Sequence, residues 1–257
     1  MELTWLDSNS WLIEMGNKRI LLDPWLVGPL TFGNAPWFFQ LDRPVPRPIP
    51  DKIDLILLSQ GLEDHAHRPT LQELDHSLPV VASPNGSQVV TALGYGNVTT
   101  LNHGQNYTFD HGITITAVPG AIVGPGAKEN GYILTDLETN EKIYYEPHGF
   151  HDPSLQTQGP INVLITPIVG AKLAFVIPVL QGGKKALQAC QWLQPQAIIP
   201  TAGLGSGTYS GVLAKVLTED GSIDGFKALL HQANLDTTVI VPTPGEPFQP
   251  LNPKLVP

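Results

Sequence analysis

The stretch "LILLSQGLEDHAHRP", Leu55 to Pro69, begins with four consecutive apolar residues and then turns polar, with Glu63, Asp64, His65 and His67 crowded into its second half. A short apolar run bounded by turn residues reads as a fully buried strand. The segment after it, "PTLQELDHSL", reads as a helix that begins near Thr70. Strand, polar loop, helix is the arrangement in which a rigid element presents titratable side chains at its end.

Working outward, short alternating strands are expected at Leu3–Leu6, Trp11–Met15 and Arg19–Asp23, with "MGNK" as a turn. The run "DPWLVGPLTFGNAPWFFQLDRPVPRPIPD" has no periodicity and reads as a long ordered loop. Its Trp25, Trp37 and Phe38 would either cap a cleft or pin the loop to the core. Downstream, "PVVAS" leads into a helix "NGSQVVTALG", with Asn85 as N-cap and Gly94 as its stop. Short strands follow in "NVTTL", "NYTFD", "GITITAV", "GYILTD" and "KIYYE". A second α/β stretch comes next: "INVLITPI", "GGKKALQACQWLQ", "QAIIP" and a helix near Ile223–Ala233. Strand runs alternating with βα units suggest two sheets with helices outside, in one domain spanning residues 1–257.

Composition narrows the partners. Of 257 residues, 42% are hydrophobic and 14% charged, a globular balance. A net charge of -9, without any Lys/Arg run, argues against nucleic acid or an anionic membrane and leaves a small-molecule substrate or ligand, or a protein; oligomeric state is open. Cys190 is the only cysteine, so neither an intramolecular disulfide nor a thiolate cluster can form. It reads as a small buried hydrophobe. The N-terminal residues do not read as a signal peptide, and no apolar run reaches spanning length, so a soluble, cytoplasmic protein is expected.

In its order of strand, Asp-His loop and helix, the chain resembles the metallo-β-lactamase fold superfamily, in particular its lactonase-like and UlaG-like branches. "RILLDPWL", "IDLILLS", "ITITAVPGA", "KIYYEPHG" and "QAIIPTAG" fall where that family's ligand-bearing strands fall. "PGAIVGP", "ENGYIL", "YYEPH" and "TPIVG" resemble phrases of a subset found in cyanobacteria and chloroplast-bearing organisms. The resemblance implies a four-layer αββα sandwich of α/β class.

The family pattern T-H-x-H-x-D-H, in which imidazoles hold one zinc and the following Asp and His a second, lies on this chain with Ser59 for Thr, Gln60 and Leu62 for the first two histidines, and Asp64 and His65 retained. The later histidines are replaced by Ala121 and by Ala202 or Gly203. Leucine cannot bind a metal and glutamine is a poor ligand, so the first site is lost. For the second, the resemblance implies Asp64, His65 and His148, with Glu146 alongside, around one divalent metal (Zn, Mn or Fe). Asp64 and His148 would be the catalytic pair, and Gln60, Leu62, His67, Ala121, His151 and Ala202 would line the substrate pocket. The implied activity is hydrolysis of an ester, lactone or phosphoester. The alternative is a metal-free pocket that binds a small ligand or a protein, with Asp64 capping the following turn or helix and His65 half-buried against a carbonyl.

Other features carry less. Gly203–Gly211 matches neither phosphate-loop nor dinucleotide patterns. Ser59, Ser83 and Ser206 follow or end strands, but the chain contains no G-x-S-x-G elbow. Lys172 is either a counter-charge to an acidic cleft or a surface lysine, and His76, His103 and His111 are assigned to solvent or local bonds.

Overall fold

The structure is a computed structural model and describes residues 1–124, 127–174, 177–203, 205 and 207–252. The chain divides into two compact units. One is drawn from Met1–Asn102, Gly203–Lys215 and Thr243–Phe248, the other from His103–Ala202, Val216–Pro242 and Gln249–Pro257. Each joins a sheet to helices, as the α/β class requires. Pro125, Leu204 and Ser206, which belong to the glycine-rich phrases noted above, lie outside the described residues.

In the first unit, among the described residues, a seven-stranded sheet starts from the edge strand Pro247–Phe248 and runs on as an antiparallel meander of Glu2–Trp5, Trp11–Met15 and Lys18–Leu22. Met15 pairs with Lys18 across Gly16 and Asn17, both at positive φ, the tight two-residue turn expected of "MGNK". The sheet then turns parallel through Leu55–Leu58, Val80–Ala82 and Val98–Thr100. All four residues of Leu55–Leu58 are buried, which explains why they show no alternation. Ile56 and Leu58 join Leu71, Val89 and Val90 of the two helices in one apolar cluster.

Both helix starts differ from expectation. The first helix is Arg68–Glu73, and its cap is His67, whose ring accepts from the Thr70 amide. It stops early because Asp75 captures the Ser77 amide at 2.8 Å and Pro79 disfavours a helical Leu78. The second helix, Pro84–Ala92, is capped by Ser83 rather than Asn85. Proline is best placed in the first turn, where its missing N–H costs nothing. Gly94, at φ +94, ends it as expected.

The aperiodic loop holds Leu30–Thr31 and Gln40–Asp42, which pair with each other, and Gln40–Asp42 pairs also with Thr208–Ser210. Trp25 is fully buried under the Arg43 guanidinium, 3.9 Å from its ring, and pins the loop. Trp37 stands 71% exposed.

The second unit's seven-stranded sheet, counted among the described residues, is antiparallel through Asn106–Phe109, Ile113–Gly124, Ala127–Asp136 and Lys142–Tyr145. It continues in parallel through Val163–Ile165, Ala197–Ile199 and Thr238–Val239. Ile133, Tyr144, Leu164 and Ile198 face the helices Lys184–Leu193 and Ile223–Gln232, and Cys190 is buried among them as a small hydrophobe. A three-stranded sheet of Gly170–Leu173, Ile177–Leu180 and Leu217–Asp220 lies beside it in the chain, where Lys172 pairs with Asp220 at 2.8 Å. Among the described residues no helix is long and apolar enough to cross a membrane.

Candidate functional site

The ligand set implied by the resemblance draws on both units, Asp64 and His65 from the first and Glu146 and His148 from the second. In the first unit, the Leu55–Leu58 strand delivers Ser59 and Gln60, and the following turn delivers Asp64 and His65. His65 is fully buried and set between two carboxylates: Nδ1 lies 2.7 Å from Asp23 Oδ2 and Nε2 lies 3.2 Å from Asp64 Oδ2. Ser59 Oγ donates to Asp23 Oδ2 at 2.5 Å, and the Ser59 amide donates to Asp23 Oδ1 at 2.7 Å. Burial alone would depress the imidazole. The charges of Asp64 and then Asp23, with hydrogen bonds to both, outweigh it and hold His65 well above the usual histidine range. His65 therefore fills a fully buried site against carboxylates, not a half-buried one against a carbonyl, and the helix cap falls to His67 rather than Asp64.

The expected pocket residues scatter in role. Gln60 is fully buried, and neither polar atom of its amide has a partner among the described residues. Leu62 is 43% exposed. His67 is buried as the helix cap. Ala121 is buried, while Ala202 is half-buried at φ +62. His151 turns to the Tyr144 hydroxyl at 3.3 Å. Burial, helped by Lys185, pushes its imidazole down to about 3, so it is neutral.

In the second unit, antiparallel pairing sets Tyr132 opposite Tyr145 and Ile133 opposite Tyr144. Continued past the strand end, that register sets Gly131 opposite Glu146 and Glu129 opposite His148. The side chains bear this out, since His148 Nδ1 lies 2.9 Å from Glu129 Oε2. The contact does not meet hydrogen-bond geometry, and both Glu129 oxygens are left without a hydrogen bond. Glu146 Oε2 accepts from the amides of His148 at 3.2 Å and Phe150 at 2.8 Å, while Oε1 has no partner. Burial, added to the nearby Glu129 charge, raises the Glu146 carboxyl to about 7 against the pull of His148 and the Phe150 and Gly149 amides. His103 is not left to solvent: its Nε2 donates to the Glu129 carbonyl at 2.8 Å.

Glu129, Glu146 and His148 each bring one ligand atom within 4.8 Å of the others. Oxygen and nitrogen ligands about 2.1 Å from a common ion lie roughly 3 to 4.2 Å apart, so a set this compact could close on a single divalent cation. Fully buried carboxylate oxygens without hydrogen bonds are costly unless something positive meets them. Sequence reasoning had Glu146 and His148 but missed Glu129, whose signal lay in the hairpin register around the "DLETNEK" turn.

Similarity to known proteins agrees with this frame. The beta-lactamase superfamily domain matches residues 2–202. The cytidine monophosphate-N-acetylneuraminic acid hydroxylase of Cricetulus griseus is 32% identical over 85 residues, which cover 31% of this chain and only 14% of that protein's length. A metallo hydrolase from the archaeon Ignicoccus hospitalis superposes with a TM-score of 0.68 at 17% identity, covering 96% of this chain and 98% of that one. The metallo-beta-lactamase fold protein YhfI of Bacillus subtilis does so with a TM-score of 0.62 at 14% identity, covering 96% and 99%. Identities this low show likeness of fold alone. Since the family match runs from residue 2 to residue 202, through the Asp64–His65 loop and the Glu146–His148 turn alike, the chain belongs to the beta-lactamase superfamily domain family and has the metallo-β-lactamase fold.

Proposed function

We propose that the protein is a metal-dependent hydrolase of a small molecule with an ester, lactone or phosphoester bond, and that Glu129, Glu146 and His148 hold one divalent cation. The observation that carries this reading is the convergence of buried carboxylate oxygens lacking hydrogen bonds on one imidazole. A cation bound there would polarise a substrate oxygen and acidify a water. The chain supplies the rest. The amides of His148 and Phe150 hold Glu146 Oε2 and leave Oε1 as the donor atom, and His103 anchors the main chain at Glu129. Two carboxylates and one imidazole suit Mn or Fe at least as well as Zn. In the first unit Asp64 and His65 form a separate cluster, the ring held between the carboxylates of Asp23 and Asp64.

The test is metal analysis of protein purified without chelator or tag, followed by calorimetric titration with Mn2+ and Zn2+. About one equivalent per chain is expected, with affinity lowered ~10-fold or more by Glu129→Gln or Glu146→Gln. Less than about a tenth of an equivalent, unchanged by added metal, eliminates the hydrolase.

A second reading is a metal-free binding module. It is favoured by Gln60, Leu62, Ala121 and Ala202 standing where imidazoles are expected, and by the unpartnered buried Gln60 amide, which can donate to and accept from a polar ligand. Full metal loading refutes it.

A further inference from the structure

Beside Glu146 stands a second polar group that the cation site does not use. In the parallel ladder Tyr144 pairs with Leu164 and Tyr145 with Ile165. The ladder runs one residue further, because the Glu146 amide donates to the Ile165 carbonyl at 3.0 Å and the Thr166 amide to the Ile199 carbonyl at 3.1 Å. Thr166 is therefore the lateral neighbour of Glu146, one strand spacing of about 4.8 Å away. Alternation gives both the face of Tyr144 and Leu164. Thr166 is fully buried, and its Oγ1 has no hydrogen-bond partner among the described residues, as is true of Glu146 Oε1.

The strand that leads into Thr166, Val163–Ile165, is wholly apolar, and valine would have the same shape without a hydroxyl to satisfy. A buried hydroxyl left alone is costly. A donor-acceptor group and a carboxylate oxygen one strand apart, both unpartnered and too far apart to bond directly, leave a position with the polar partners that a single water needs.

From this we infer that Thr166 is a positioning residue: its hydroxyl and Glu146 Oε1 hold one water between them, beside the carboxylate proposed to bind the cation. The use of that water as a nucleophile rests on the hydrolase reading. The water's presence does not.

Crystal structures of the full chain, with and without MnCl2, test both parts. A water within hydrogen-bond reach of Thr166 Oγ1 and Glu146 Oε1 is expected in the metal-free crystal, lost in Thr166→Val and restored in Thr166→Ser. Water-proton relaxation of the Mn2+-loaded protein is expected to change in Thr166→Val, with Mn2+ affinity unaltered, and to recover in Thr166→Ser. No density at that position in the parent chain, or a water that persists in Thr166→Val, overturns the inference. Failure to bind Mn2+ with the water present sinks the hydrolase reading alone.

Discussion

His67 shows how much one side chain settles. Its Nδ1 lies 2.9 Å from Thr70 Oγ1 and also accepts from the Thr70 amide, while Nε2 faces the Pro29 carbonyl at 3.3 Å. Thr70 Oγ1 accepts from the Leu26 amide at 2.8 Å, so its proton points to the imidazole. The ring must be the neutral tautomer with hydrogen on Nε2, and a proton on Nδ1 would remove the helix cap. Burial drives its pKa down from 6.5 to about 4, with Arg43 adding to the shift and the Pro29 carbonyl opposing it. The folded value lies below the unfolded one, so the unfolded chain takes up the proton first. Stability should fall as pH drops from about 6.5 to about 4, by ~3 kcal/mol in all, and change little from this group outside that window. Urea unfolding at stepped pH measures it. In His67→Asn, which keeps a capping oxygen, that part of the slope should vanish; an unchanged slope refutes the assignment. Cys190, pushed up to about 12 by burial, should react with a thiol reagent only after denaturant is added.

At the level of elements, the turn after His148 is the most constrained. Gly149 sits at φ +77, and a Cβ there would lie 1.7 Å from the Gln181 carbonyl oxygen, while the Gln181 amide donates to the His148 carbonyl at 2.8 Å. Gly149→Ala should cost at least ~2 kcal/mol of stability and weaken Mn2+ binding, because the backbone that carries His148 has to shift. Ser83→Ala, which removes the cap of Pro84–Ala92, should cost about 1 kcal/mol and leave metal affinity unchanged. Thermal melts and metal titration of the pair distinguish the two. Most elements were legible in the sequence because periodicity and turn residues are local. The helix starts slipped by one or two residues because a proline in the first turn and a capping histidine outcompeted more ordinary caps.

For the molecule as a whole, metal should act as a folding ligand. A cation held by groups that the unfolded chain cannot gather stabilises the native state by about 2.7 kcal/mol at a hundredfold excess over Kd. The melting temperature should therefore climb with Mn2+ concentration in the parent protein and stay flat in Glu129→Gln combined with Glu146→Gln. A concentration-independent melt of the parent would show that the carboxylates gather no metal.

The sequence by itself determined the α/β class and the family, through the buried Leu55–Leu58 run, the Asp64–His65 loop and the phrases that follow in order. It also determined that Gln60, Leu62, Ala121 and Ala202 cannot supply the usual imidazoles, since ligand chemistry is a property of the residue. Only the tertiary structure decided that Glu129 stands opposite His148, that Thr166 lies beside Glu146 with an unsatisfied hydroxyl, and that Asp23 rather than a carbonyl meets His65. Those facts depend on strand register and on which polar atoms are cut off from water. Neither is a property of any one stretch of chain, and both appear only when distant segments are brought side by side.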